Sequence, residues 1–148
     1  MSTTSVRPVE ILLVEDSPSD ARLTMEALKE GRLLNSVHHV DNGEDAMAFL
    51  RREGEYENAP RPDVVLLDIN LPRKSGLEVL GETKADPALR SIPIVILSTS
   101  KHEKDVLMAY GLNANCYITK PVDLEKFIEV VKFVDHFWVN IVTLPPKS

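Results

Sequence analysis

Val64-Val65-Leu66-Leu67-Asp68-Ile69-Asn70-Leu71-Pro72 is the stretch from which the rest of the chain is read. Four aliphatic residues in a row, entered through Pro62-Asp63 and closed by Pro72, predict a short strand covered on both faces. Such a strand belongs in the middle of a parallel sheet. The carboxylate of Asp68 stands where the run stops, so it emerges at the strand's C-terminal edge. In open α/β sheets that edge is where ligands bind.

Outward from this strand the pattern repeats. Val9 to Val14 is a second apolar run ending in Glu15-Asp16, and Ile92 to Leu97 a third ending in Ser98. Val37 to Val40, diluted by His38 and His39, and Asn115 to Thr119, followed at once by Lys120-Pro121, are two weaker ones. Between them lie helical segments. Ser17 is placed to cap a helix that begins at Pro18, carries Asp20 in its first turn and runs to about Glu30, before Gly31. Further helices are expected over 44–52, 77–85 and 101–110, with 53–61 a polar surface loop. Asp123 is placed to cap a long final helix reaching about Thr143. Strand and helix alternate five times. That order predicts right-handed parallel crossovers and a three-layer α/β sandwich.

The chain has 148 residues, 43% hydrophobic and 27% charged, which suits one soluble globular domain with its own core. A mobile N-terminal tail over residues 1–7, a folded unit over 8–144 and a short tail over 145–148 are expected. The net charge is -6 with acids and bases interspersed, which argues against direct nucleic-acid binding. A single cysteine, Cys116, excludes an internal disulfide, and the absence of a long apolar run argues against a membrane span. A reduced, cytoplasmic setting is expected.

Four of the five strand ends carry Glu15-Asp16, Asp68, Ser98 and Lys120. Three carboxylates without an arginine would repel one another, and a hard divalent cation, Mg²⁺ or Mn²⁺, resolves that conflict. Lys120 and the Ser98 hydroxyl would flank a group carried on Asp68. A dianionic phosphoryl group fits, with the Asp68 carboxylate as its nucleophilic acceptor.

With these residues in place, the sequence resembles the receiver domain of bacterial response regulators, from about Val9 to Leu144. The resemblance implies the flavodoxin-like (βα)5 fold with strand order 2-1-3-4-5. It implies Asp68 as acceptor of a phosphoryl group from a sensor histidine kinase, and Glu15, Asp16, Asp68 and the backbone carbonyl of Asn70 as the metal ligands. Ser98 and Tyr117 become switch residues, Lys120 a phosphoryl contact, and Lys120-Pro121 a cis peptide. The insertion over 53–61, Ser98-Thr99-Ser100 and the Phe137-Trp138 tail are most similar to single-domain regulators that partner cyanobacterial phytochromes. No DNA-binding domain is read after the receiver, so output by protein contact or by competition for phosphate is expected, and enzymatic turnover beyond slow autodephosphorylation is not.

Simpler readings compete at several positions. Asp68 alone could be a surface acid, Tyr117 a half-buried strand aromatic and Cys116 a small core residue. His38 and His39 read as strand residues away from the C-terminal edge. On the final helix, Phe133, Phe137 and Ile141 fall on a second apolar flank that one sheet face does not need. A homodimer through that flank is expected. Two rivals use the same rim: a haloacid dehalogenase-type Mg²⁺-dependent phosphohydrolase, and a non-phosphorylated pseudo-receiver scaffold. The first resembles a pattern with an acid two positions after the nucleophile, where this chain has Asn70.

Overall fold

A computed structural model describes residues 8–29, 34–98, 111 and 116–131. Five parallel strands, β1 (Val9–Val14), β2 (Asn35–Val40), β3 (Val64–Asp68), β4 (Ile94–Ser98) and β5 (Cys116–Thr119), form one sheet in the order β2-β1-β3-β4-β5. The described helices are α1 (Pro18–Leu28), α2 (Gly43–Arg51), α3 (Gly76–Ala85) and α4 (Leu124–Val131). The expected sandwich and strand order are present.

β3 lies at the centre, paired with β1 through Ile11–Val64 to Val14–Leu67 and with β4 through Val65–Ile94 to Asp68–Leu97. All five of its residues are buried, because helices cover both sides of the sheet. Alternation sorts the side chains. Ile11, Leu13, Val64, Leu66, Val95 and Leu97 pack on one face with Ala21 and Leu28 of α1 and Phe127 of α4. Leu12, Val14, Val65, Leu67, Ile94 and Ile96 pack on the other with Met47 of α2 and Leu80 of α3. Each such aliphatic side chain contributes about 1.5–3 kcal/mol when fully buried, so the central strands cannot slip without losing both cores.

Local chemistry sets the element ends. Ser17 Oγ accepts from the Asp20 N–H, Asn42 Oδ1 from the Asp45 N–H, and Asp123 Oδ1 from the Lys126 N–H. Ser75 and Glu78 form a reciprocal capping box at the start of α3. Arg51 of α2 bridges Glu82 at 3.6 Å and Asp86 at 3.9 Å, which ties α2 to α3.

Several boundaries differ from expectation. α1 ends at Leu28 with Lys29 as its cap, and Gly31 lies outside the described residues. β2 starts two residues early, at Asn35, because the backbone pairs with β1 from Val9 onward and the Asn35 amide donates to the Leu28 carbonyl. β4 starts at Ile94 rather than Ile92. Pro93 has no N–H to give, although its carbonyl still accepts from the Val65 N–H at 3.0 Å. The polar segment after α2 holds a 3-10 turn, Gly54–Tyr56, which brings Tyr56 against Phe49 with ring centroids 5.6 Å apart. Residues 101–110 and those beyond Val131 lie outside the described residues, so the expected 101–110 helix and the extension to Thr143 are not placed.

Candidate metal and phosphoryl site

The C-terminal ends of β1, β3 and β5 meet at one rim. Glu15 leaves β1 with only 1% of its surface exposed, and Asp68 closes β3 at 7%, while Asp16 is exposed. One carboxylate oxygen from each of these three residues lies within 4.8 Å of the others. Lys120, immediately after β5, extends its ammonium into the cluster. Nζ stands 2.5 Å from Glu15 Oε1, 3.3 Å from Asp68 Oδ2 and 3.3 Å from Asp20 Oδ2. The Lys120–Pro121 peptide is cis.

Backbone contacts hold the rim in shape. The Ser17 N–H donates to Glu15 Oε2 at 3.2 Å and the Ile69 N–H to Asp68 Oδ1 at 3.0 Å. The loop after β3 is pinned by two close approaches. A Cβ at Gly76 would stand 2.0 Å from the Asp68 carbonyl oxygen, and one at Gly43 would stand 2.0 Å from that of Lys74. With no side chain there, the Gly76 N–H reaches the Ile69 carbonyl at 2.8 Å and the Gly43 N–H the Pro72 carbonyl at 3.4 Å.

The charges are unevenly balanced. Burial, followed by the neighbouring Glu15, pushes the Asp68 carboxyl up to about 7 despite the opposing pull of Lys120. For Lys120, burial alone would lower the ammonium's pKa, but its contacts to Glu15, Asp68 and Asp20 outweigh burial and raise it. One ammonium therefore serves three carboxylates beside a fourth, exposed one. Glu15 Oε1 is buried against the Lys120 ammonium, and the Glu15 side chain also lies beside the Asp68 carboxyl. An anionic oxygen so placed, with two more carboxylates in reach, fits a hard, oxygen-seeking divalent cation.

Of the residues singled out from the sequence, Glu15, Asp16, Asp68 and Lys120 converge. Tyr117 is half-buried on β5 against the cluster containing Leu12, Leu67 and Ile96. Asn70 is exposed just past β3. The Ser98 backbone ends β4 next to Thr119, but its side chain lies outside the described residues, as do Thr99, Ser100, Phe133, Phe137 and Ile141. Two residues entered unannounced. Asp20, read as a helix-dipole acid, also reaches Lys120; its first-turn position beside the strand ends was the available signal. His39 reaches the edge after all, its Nε2 lying 2.8 Å from the Glu15 backbone carbonyl. An edge strand in register with β1 carries the ring there, whereas His38 turns to Glu10 and Phe49.

Residues 11–132 match the family model described as the response regulator receiver domain. The chain belongs to that family. This receiver is 48% identical to the response regulator Rcp1 of Synechocystis sp. (strain ATCC 27184 / PCC 6803 / Kazusa) over 145 residues, 98% of this chain and 99% of that one. The phosphorylated cyanobacterial phytochrome response regulator RcpA superposes with a TM-score of 0.76 at 49% identity, over 95% of this receiver and 100% of that chain. The Mn²⁺-bound form of Rcp1 superposes with a TM-score of 0.75 at 48% identity, over 94% of this receiver and 100% of that chain. Divalent-metal binding in a relative of this similarity agrees with the donor set formed by Glu15, Asp16 and Asp68.

Proposed function

We propose that this receiver accepts a phosphoryl group on Asp68 from the phosphohistidine of a sensor kinase and signals by a phosphorylation-dependent change of conformation. The observation that carries the reading is the buried Asp68 at the end of the central strand, in contact with the Lys120 ammonium and beside Glu15 and Asp16. A carboxylate oxygen of Asp68 bonds to phosphorus, the donor's P–N bond breaks, and its electron pair leaves on the imidazole. Lys120 balances charge on the transferred oxygens, and the deep seat of Asp68 limits the approach of water. Glu15, Asp16, Asp68 and the carbonyl of Asn70 would hold Mg²⁺. That cation supplies the positive charge under which a dianionic group can sit among carboxylates.

Ser98 and Tyr117 are assigned the switch. Tyr117 is half-buried on β5, three residues before Lys120, and that position supports the reading. The kinase is proposed to dock on the rim and α1, where Leu23 is 57% exposed, and the similarity to Rcp1 and RcpA supports a phytochrome as that kinase. The protein is read as a cytoplasmic phosphoacceptor, not an enzyme, with a receiver unit over 8–144 between tails at 1–7 and 145–148. It is proposed to dimerise through Phe133, Phe137 and Ile141 and to bind neither nucleic acid nor membrane. Among the described residues no helix is long and apolar enough to cross a membrane.

Incubation with Mg²⁺ and a small phosphodonor, followed by intact-mass measurement, tests the central step. One added phosphoryl group on the wild-type chain and none on Asp68→Asn is expected. An unmodified wild type, or the same adduct on the variant, would remove the assignment.

A further inference from the structure

We infer that Asp20 is a charge filter at the mouth of the site, slowing phosphoryl transfer to Asp68 from dianionic small donors relative to less charged ones. The inference rests on the phosphoacceptor reading and extends it to donor specificity.

Asp20 is not one of the clustered carboxylates. It sits in the first turn of α1, with its N–H bonded to the Ser17 hydroxyl, and its side chain is 39% exposed where that of Asp68 is 10%. Lys120 Nζ lies 3.3 Å from Asp20 Oδ2 and 3.3 Å from Asp68 Oδ2, so the two acids are held within reach of one ammonium. Asp20 is the outer of the two. A donor phosphoryl group bound for Asp68 must approach from solvent and engage the same ammonium, and there it meets the Asp20 charge.

Two effects act in one direction. Asp20 competes with the incoming phosphoryl oxygens for Lys120, and it repels them directly. Both grow with the donor's negative charge, and both are screened by salt because Asp20 is partly exposed. At neutral pH acetyl phosphate is a dianion and phosphoramidate a monoanion. In each reaction the Asp68 oxygen bonds to phosphorus. The P–O bond of acetyl phosphate breaks and acetate leaves, or the P–N bond of phosphoramidate breaks and ammonia leaves, keeping on its nitrogen the proton the monoanion already carries. The acceptor, metal ligands and ammonium are common to both and the leaving groups do not change between variants, so a change in the ratio of the two rates reads the donor's charge.

A role confined to helix formation gives no such ratio. Asp20 favours the N-terminus of α1 through the helix dipole, and losing that contribution would alter both donors alike.

The experiment measures pseudo-first-order rates of adduct formation with each donor, at saturating Mg²⁺ and at low and high salt, on the wild type, Asp20→Asn, Asp20→Glu and Glu26→Gln. Glu26 is an exposed acid further along α1 that controls for net charge. The ratio of the acetyl phosphate rate to the phosphoramidate rate is expected to rise roughly 3- to 10-fold in Asp20→Asn at low salt and to stay near wild type in the other two variants. In the wild type the same ratio rises with added salt, a readout that needs no variant to fold. An unchanged ratio in Asp20→Asn, an equal rise in Glu26→Gln, or a wild-type ratio insensitive to salt overturns the filter. A wild type that forms no adduct with either donor overturns the phosphoacceptor reading and the filter with it.

Discussion

Asp68 is strained electrostatically before any ligand arrives. Its folded carboxyl is held at about 7, whereas the same group in an unfolded chain titrates near the ordinary 3.8. The folded state thus keeps a proton that the unfolded state has lost, and folding is favoured by acid across that interval. Stability from this residue is fully present below the lower value and is lost as pH rises to the upper one. Thermal unfolding in a metal chelator should show the wild type falling in stability from weakly acidic to neutral pH, then levelling. Asp68→Asn should lack that slope and be more stable than wild type by roughly 1 kcal/mol at about pH 8, after solvent screening is allowed for. Saturating Mg²⁺ should shrink the difference. A variant less stable than wild type under these conditions would contradict the raised pKa.

At the scale of elements, the loop between β3 and α3 is a device for aiming Asp68. Gly76 opens α3 directly under the Asp68 backbone, and its N–H closes onto Ile69, so the strand end and the helix start are parts of one turn. Gly76→Ala would drive a Cβ into a backbone carbonyl that cannot rotate away. It should cost roughly 2 kcal/mol or more by thermal or denaturant unfolding and slow adduct formation on Asp68. Gly81, inside α3, makes the contrast. Nothing stands within 4 Å of a Cβ built there, so Gly81→Ala should stabilise by about 0.5–1 kcal/mol through helix propensity. Equal effects at the two positions would show that crowding beneath Asp68 is not what selects glycine.

For the whole molecule, the sheet order places β1 and β3 side by side at the centre, so acids 53 residues apart in the sequence become neighbours across one strand gap. Two layers of helices then cover the sheet, and the acids gather at its C-terminal rim. The proposed contact with a second copy through Phe133, Phe137 and Ile141, which lie outside the described residues, belongs to this scale as well. Sedimentation at tens of micromolar, with and without phosphodonor, is expected to show a dimer. A monomer under both conditions would remove that surface from the proposal.

Hydrophobic runs and their flanking acids were enough to read the strands, their parallel arrangement and the convergence of Glu15, Asp16, Asp68 and Lys120. A strand buried on both faces announces itself as an unbroken aliphatic run, and a polar residue that ends such a run has one place to go. Tertiary structure alone decided the rest. Asp20 joined the rim because Lys120, 100 residues later, reaches across to α1, and His39 met the Glu15 carbonyl because β2 pairs in register with β1. His39 leaves no local trace of its contact and Asp20 only its first-turn position, since Asp20 satisfies a helix N-terminus and His39 a strand position equally well without them. Periodicity records what a residue does for its own element; only packing brings side chains from different elements to one point.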